Sequence, residues 1–220
     1  MEAPFTSEAA KTVALSVALS VSGETAVGNF TFSIPKYAEK VLADNEISDI
    51  EKTLIRDVIS YVRAAYAYFG TEDKAAIDKI DALLGENYDE TQAPAMNGSA
   101  EKPTLGIDAV TYNLTATPDL IFYLADGYDA SDFKFFVNGR SVAAVAGRDD
   151  EGKRYVEVKL YAYELAGTVD YTVNGESDSW HIRSYYEWSK EQNDEDLVRL
   201  VLRFARYCES VAAYRSEVIN

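Results

Sequence analysis

The sequence predicts an α+β protein with a β-sandwich-like (Ig-like) segment, two related helical hairpins and an internal pseudo-repeat. Three observations predict this fold class. One helical pattern occurs twice at a fixed offset, Asn-Gly turns separate short apolar runs, and a polar interval divides the chain. The chain has 220 residues, of which 47% are hydrophobic, so it can build a packed core in one large domain or in two modest ones.

The first predicted element is a strand at residues 13–21. Its larger apolar residues alternate with Ala and Ser, and they are Val13, Leu15, Val17, Leu19 and Val21. This alternation is typical of a strand with one buried face. Glu2 and Glu8 stand where a signal peptide carries basic residues, so we expect any secretion signal upstream of this fragment, and we expect the chain to begin inside a repeat unit. No apolar run is long enough to predict membrane insertion.

A long helix is predicted after Ser48, and an offset of 146 residues gives a second one after Asp194. Both Ser48 and Asp194 supply a side-chain oxygen suited to an N-cap. The apolar positions step by four, three, four and three residues, as in a packed helix seam. These positions are Leu54, Val58, Tyr61, Ala65 and Tyr68 in the first helix and Leu200, Phe204, Tyr207, Val211 and Tyr214 in the second.

The similarity continues upstream of both long helices. An offset of 148 aligns two shorter helices, and it pairs Ile34 with Ile182, Tyr37 with Tyr185 and Glu39 with Glu187. An offset of 152 aligns a strand and its turn, and it pairs Val17 with Val169, Val21 with Val173 and Glu24 with Glu176. The predicted repeat unit is therefore strand, turn, strand, helix, helix.

Residues 87–104 are polar, contain two prolines and have no apolar period, which predicts a linker or exposed loop. We therefore predict a partial repeat unit at 1–86 and a full repeat unit at 105–220.

Before the linker, Gly70 is predicted to end the long helix, and one more amphipathic helix follows. Its apolar side consists of Ala76, Ile77, Ile80, Leu83 and Leu84.

The β region of the second unit contains two Asn-Gly turn signals, "VNGR" at 137–140 and "VNGE" at 173–176. Asn-Gly between apolar runs is a strong short-range signal for a tight turn between antiparallel strands. The region predicts about seven short strands, which favours a small sandwich.

Several segments together resemble one family. They are "YVRAAYAYFG" at 61–70, "YCESVAAYR" at 207–215, and "LIFYLADG" and "FFVNGR" ahead of a late helix pair. The chain resembles the β-sandwich plus helical-hairpin repeat of large secreted or surface proteins of Gram-positive gut anaerobes. The resemblance covers most of residues 12–216, and the second copy departs from it with Ser210 and Val211 in place of paired alanines. It implies an extracellular or cell-surface location and covalently linked neighbouring domains, and it implies no activity.

Composition excludes several partners and cofactors. The formal charge of −16 repels phosphate backbones, so we expect no nucleic-acid partner. Cys208 is the one cysteine and His181 the one histidine, which excludes a disulfide framework and multi-ligand Cys or His metal sites. We expect Cys208 to be a small buried hydrophobe and His181 to cap a helix or lie on the surface. Asp126, Asp129 and Asp132 are interpreted as a solvated turn, because their spacing lacks the ligand density of a calcium loop.

Catalytic motifs are also missing from the sequence: it has no Gly-rich phosphate loop, no G-x-S-x-G elbow and no paired zinc histidines. We therefore predict no catalytic residue, no metal and no cofactor.

The candidate binding residues are aromatic. In "RYVEVKLYAYEL" at 154–165, a single long strand would place Val156, Val158, Leu160 and Ala162 in the core. It would turn Tyr155, Tyr161 and Tyr163 outward as one strip. Such a strip suits sugar rings and protein partners equally, unless helices or another module cover it. Trp188 is a second candidate because its repeat counterpart is Lys40, whereas Trp180 aligns with Phe32 and is predicted to be core.

These observations predict a non-catalytic extracellular module of a multidomain bacterial surface or secreted protein, for display, spacing or adhesion. The alternative is a carbohydrate-binding module that uses Tyr155, Tyr161, Tyr163 and Trp188. Its ligand would be a glycan or a protein.

Overall fold

The computed structural model describes residues 13–21, 24–32, 34–70, 74–85, 88–89, 91–114 and 118–219. Across these residues the protein is α+β, with two four-stranded antiparallel sheets, a separate two-stranded sheet and six α-helices. The chain divides into two compact units, Met1–Glu90 and Thr91–Asn220. Residues 1–12, where the sequence predicts the start inside a repeat unit, lie outside the described part, as do the side chains of residues 13–34.

The first unit consists of one antiparallel strand pair followed by three helices. In chain order these elements are β1 (Val13–Val21), β2 (Glu24–Phe32), α1 (Ile34–Ala43), α2 (Asp49–Tyr68) and α3 (Lys74–Leu84). Helix α2 begins where the sequence predicts, because the Ser48 hydroxyl accepts the backbone N–H of Glu51 at 3.3 Å.

The three helices share the core of the first unit. Its buried members are Ala38, Ile59, Val62, Tyr66, Ile80 and Leu84. The predicted apolar side of α3 is confirmed, since Ile80 and Leu84 belong to this core and Ala76, Ile77 and Leu83 pack against it. Buried apolar area of this kind, rather than intrinsic helix propensity, stabilises short helices in proteins.

The second unit contains both four-stranded sheets. Its described strands are β3 (Ile107–Leu114), β4 (Pro118–Leu124), β5 (Phe133–Val137), β6 (Arg140–Val142), β7 (Ala144–Arg148), β8 (Arg154–Lys159), β9 (Thr168–Val173) and β10 (Glu176–His181). One sheet has the order β3-β4-β8-β7 and the other β10-β9-β5-β6. Asn138 and Asn174 both have a φ of 50°, and each is followed by a glycine of positive φ, so both Asn-Gly turns form where the sequence predicts.

The two sheets of the second unit contact each other through aromatic rings. Phe122 of β4 lies 4.8 Å from Phe135 of β5 and 5.9 Å from Tyr171 of β9, measured between ring centroids. All three rings are buried, as are Val156 and Val158 on β8. The alternation along the strands therefore directs one face of each sheet into a shared core.

Three helices complete the second unit: α4 (Ala162–Leu165), α5 (Ile182–Glu191) and α6 (Glu195–Tyr214). Asp194 caps α6 as predicted, since its Oδ1 accepts the N–H groups of Asp196 and Leu197 at 3.0 Å each. Tyr112 of β3 joins sheet to helices through edge-on ring contacts with Tyr185 and Phe204, at 4.9 and 5.1 Å. None of the described helices has the length and apolar character needed to cross a membrane.

Residues 91–105, here called the strap, open the second unit and overlap most of the predicted linker at 87–104. Met96 is buried. The Glu209 carboxylate on α6 accepts the N–H groups of Ala95 and Met96, at 3.1 and 2.9 Å. Despite its polar composition, the strap is therefore held to the helix by charge-assisted hydrogen bonds.

Candidate functional site

The predicted strip of three outward tyrosines is not formed, because β8 ends at Lys159 and residues 162–165 form the short helix α4. The prediction of one long strand is therefore wrong beyond that point. The physical reason is Glu164, whose buried carboxylate accepts the Tyr161 N–H at 2.9 Å and also binds Arg140. A buried carboxylate requires such partners, and here they favour a helical turn over continued alternation.

Tyr155 lies apart from the other two tyrosines and packs on its own sheet. It pairs in register with Tyr123 of β4, with ring centroids 5.9 Å apart, and with Gly147 of β7 on its other side. A Cβ added at Gly147 would lie 2.3 Å from the Tyr155 ring, so the ring covers the glycine. Tyr155 is half-buried and fills the sheet surface, and it does not join a site with Tyr161 or Tyr163.

Tyr161 and Tyr163 do come together, and Arg215 joins them, so that Tyr163 contacts both other members of the group. Their rings are parallel within 8°, with centroids 5.4 Å apart. The Arg215 guanidinium lies over the Tyr163 ring, 4.0 Å from its centroid. Tyr161 remains 59% exposed. We call Tyr161, Tyr163 and Arg215 the stacking platform, and its outermost ring offers a flat aromatic face to solvent.

The stacking platform is fixed to the scaffold of the second unit. Leu165 at the end of α4 is fully buried, and α4 packs against α6. Arg215 directly follows α6, so both sides of the stack are attached to one helix. Because these groups are ordered before any ligand arrives, stacking on Tyr161 costs little further conformational entropy.

Trp188 lies in a different part of the second unit, in the cleft between the strap and α5. This cleft, here called the Trp188 cleft, has a volume of about 630 Å³. Its charged lining residues are Glu101, Lys102, Asp178, Glu187 and Glu191. A smaller cavity of about 180 Å³ shares Trp188 with it and is also lined by Trp180. The sequence singled out Trp188 through its mismatch with Lys40, and the structure places the indole in a concave site.

The two tryptophans differ as predicted. Trp180 is 1% exposed and belongs to the core, and the prediction for it is confirmed. Trp188 is half-buried, with its ring stacked on Tyr185 at 5.1 Å and 24°.

Lys102 of the strap approaches Glu191 of α5 at 3.4 Å across the cleft. Because both side chains are largely exposed, this ion pair stabilises the fold little, and its charges stay available to a ligand.

Asp178 forms one wall of the Trp188 cleft, and sequence reasoning missed it. Its Oδ2 accepts the strap N–H groups of Thr104 and Leu105, at 2.9 and 3.1 Å, and lies 3.1 Å from the Tyr171 hydroxyl. Burial by itself would raise the pKa of Asp178, but these donors, together with the Ser179 N–H, lower it. The available signal was an aspartate inside a predicted strand, a residue type that strands disfavour.

His181 and Cys208 have the structural roles that the sequence predicts. His181 is buried, its Nδ1 accepts the Arg183 N–H at 3.1 Å at the start of α5, and burial lowers its pKa. A Cβ at Gly98 of the strap would lie 2.1 Å from the His181 ring, so the strap packs directly on it. Cys208 is fully buried on α6, and burial raises the pKa of its thiol, which therefore stays protonated at neutral pH.

The acidic turn at 126–132 forms no metal cluster. Asp129 pairs with Arg154 at 2.7 Å, and its backbone N–H donates to Asp132 at 2.8 Å. Among the residues that the structure describes, no group of three or more His, Cys, Asp or Glu side chains could hold a metal ion.

Comparisons of the whole chain with known proteins give no match: no family model, no curated protein and no solved structure is significantly similar to it.

Proposed function

We propose that this chain is a non-catalytic module of a multidomain bacterial surface or secreted protein, used for display, spacing or adhesion, and that its second unit binds a neutral glycan on the stacking platform. The observation that carries the proposal is the parallel Tyr161–Tyr163 stack with Tyr161 59% exposed. An ordered aromatic ring with one face in solvent is the kind of surface on which a pyranose lays its C–H face.

The expected affinity is low for a single sugar contact. Stacking on one ring contributes about 1 kcal/mol beyond the area that it buries, so a single platform holds a glycan in roughly the millimolar range. Such binding becomes strong only when several copies act together, which suits a module repeated within a longer surface protein.

We further propose that the chain contains a pseudo-repeat, with a β-sandwich-like (Ig-like) segment and two related helical hairpins. The lengths support it: α1 and α5 have 10 residues each, and α2 and α6 have 20 each. The strand pairs support it too, since Val21 faces Glu24 in β1–β2 as Val173 faces Glu176 in β9–β10. A duplicated packing unit accounts for this agreement without any shared reaction chemistry.

The test is affinity electrophoresis of the full chain through gels that contain plant, starch or mucin polysaccharides. We expect retardation by at least one neutral polysaccharide, its loss in Tyr161→Ala and its retention in Tyr161→Phe. Tyr37→Ala is the matched control, because Tyr37 is an exposed tyrosine of the first unit. Free mobility in every gel, or unchanged retardation after Tyr161→Ala, would contradict glycan binding on the platform.

A further inference from the structure

The Trp188 cleft is separate from the stacking platform, and glycan binding by the platform makes no use of it. Its volume of about 630 Å³ lies within the range of pockets that hold small ligands, and it is large enough for a disaccharide. It is closed on one side by the strap and on the other by α5. A concave site with an aromatic wall is where a small ligand loses most of its hydration and gains most contact area.

The aromatic wall of the Trp188 cleft is held in place from behind. The Trp188 ring stacks on Tyr185, and Tyr185 in turn contacts Tyr112 edge-on at 4.9 Å. This chain of rings connects the indole to strand β3, so its orientation is set before a ligand binds. Pre-ordered aromatic side chains bind with a smaller entropic cost than mobile ones.

The remaining lining gives the cleft a negative charge. Four carboxylates, those of Glu101, Asp178, Glu187 and Glu191, face one ammonium group, that of Lys102. The Asp178 carboxylate is engaged by the strap backbone, and Glu191 shares Lys102.

The other two carboxylates, those of Glu101 and Glu187, are not bound by the strap backbone. Glu187 pairs with Lys190 from its own helix, and Glu101 is exposed and makes no ion pair with any other described residue. With Lys190 counted beside Lys102, four carboxylates still exceed two ammonium groups, so the potential in the cleft attracts cations and repels uronic acids, sialic acids and sulfated sugars.

We propose that the Trp188 cleft binds an amino sugar with a free ammonium group. The C–H face of the sugar ring would lie on the indole, and the ammonium would face the carboxylates of Glu101 and Glu187. An aromatic wall alone would accept any pyranose, and carboxylates alone would attract any cation. A protonated hexosamine is a small ligand that satisfies both. Acetylation of the amine removes its charge and so removes the electrostatic part of the recognition.

The test is titration calorimetry on the full chain at mildly acidic pH, where the sugar amine is protonated. Three oligosaccharides of equal length serve as probes: oligomers of glucosamine, of N-acetylglucosamine and of galacturonic acid. We expect the glucosamine oligomer to bind about tenfold or more tightly than the acetylated one, and the anionic oligomer not to bind. We also expect binding to weaken as salt concentration rises.

Charge variants test the proposal further, because removing a negative or a positive charge should change the affinity for the glucosamine oligomer in opposite directions. Glu101→Gln should weaken glucosamine binding about three- to tenfold, whereas Lys102→Gln should strengthen it by a similar factor. Glu151→Gln, the same change at an exposed carboxylate in the β7–β8 turn, is the matched control and should change nothing. Trp188→Ala should abolish binding and Trp188→Phe should retain part of it, with thermal unfolding measured to show that both variants fold.

Three results would overturn the proposal. The first is equal affinity for the acetylated and free-amine oligomers. The second is weaker binding in Lys102→Gln. The third is a lysine-containing peptide that binds as tightly as the sugar, which would assign the cleft to a protein partner. Tyr161→Ala should leave glucosamine binding unchanged, so the result is independent of the stacking platform.

Discussion

Helices α2 and α6 have the same length and begin at equivalent N-caps, yet they bury different parts of their surface. Their middle positions agree, since Ile59 and Ala205, 146 residues apart, are both fully buried. Away from the middle, the two helices differ in which residues are buried. Helix α2 buries its C-terminal half, at Ala64, Ala65 and Tyr66, whereas α6 buries its N-terminal half, at Leu197, Leu200 and Val201. The same apolar seam therefore serves two packing arrangements.

One position shows how the difference arises. Arg63 of α2 and Glu209 of α6 are also 146 residues apart. Arg63 binds Asp81 of α3 at 2.8 Å, whereas Glu209 binds the backbone of the strap. The two side chains thus differ both in charge and in the segment that they bind. The apolar seam decides that a helix forms and packs, and the polar positions beside it decide what packs on it.

The comparison of α2 with α6 is tested most strongly by shortening one apolar side chain in each helix. Phe204 is buried and contacts Tyr112, whereas its counterpart Val58 is half-buried. We expect Phe204→Ala to lower the free energy of unfolding of the second unit by about 3–5 kcal/mol, and Val58→Ala to lower that of the first by about 1 kcal/mol. Both tryptophans lie in the second unit, so tryptophan fluorescence during urea unfolding follows that unit, and far-UV circular dichroism follows both.

Equal losses in the two variants would contradict the different burial of the two helices. Phe204→Leu serves as a control, because it keeps most of the buried volume and should cost much less than Phe204→Ala.

The next largest effect is expected at the pair Arg63 and Glu209. Glu209→Ala leaves two backbone N–H groups of the strap without their acceptor and should destabilise the second unit by about 2–3 kcal/mol. Arg63→Ala breaks a partly exposed ion pair and should cost less than about 1 kcal/mol. Amide hydrogen exchange at Ala95 and Met96 measures the first effect directly, and it should accelerate in Glu209→Ala alone. Unchanged protection there would show that the strap does not depend on Glu209.

Asp178 adds a pH dependence to the second unit. Its pKa in the folded protein lies below the ordinary value of 3.8, so its stabilising contribution is present above that value and is lost as the pH falls through the folded pKa. Asp178→Asn should cost about 1–2 kcal/mol at neutral pH, and the gap to the wild type should narrow below about pH 4. Tryptophan fluorescence during urea unfolding at several pH values measures both the loss of stability at neutral pH and its decrease at low pH. A gap that stays constant with pH would contradict the assigned role.

The smallest expected difference concerns the two N-caps. Asp194 accepts two N–H groups and carries a negative charge at a helix N-terminus, whereas the Ser48 hydroxyl accepts one N–H at a longer 3.3 Å. We expect about 1 kcal/mol from Asp194→Ala and about 0.5 kcal/mol from Ser48→Ala. Thermal unfolding, monitored by circular dichroism, distinguishes the two losses of stability if both variants are compared with the wild type in one buffer. A larger loss in Ser48→Ala would reverse the assigned ranking.

Local signals predicted much of this fold. Both long helices, their caps Ser48 and Asp194, and both Asn-Gly turns depend on residues within a few positions of one another, and the structure has them where the sequence predicts. Trp188 was found through a mismatch between aligned positions, which also requires no knowledge of the fold.

The rest depends on contacts between distant residues. The end of β8 is set by Glu164, which binds Arg140 24 residues away, while the local sequence continues to alternate like a strand. The strap has the composition of a linker, and its anchors Asp178 and Glu209 lie 73 or more residues further along the chain. No local pattern at residues 91–105 contains that information, so neither the strap nor the cleft beneath it could be predicted from the sequence.

The anchoring of the strap has a mechanical consequence. When the N-terminal end of the second unit is pulled, the load reaches first the hydrogen bonds of the strap with α6, those of Gln92 with Arg206 and of Ala95 and Met96 with Glu209. It then reaches those of Thr104 and Leu105 with Asp178. These bonds yield in sequence, and each release lengthens the chain by a few residues while both sheets stay intact. The strap is therefore a short extensible segment in series with the two sheets, which stay folded.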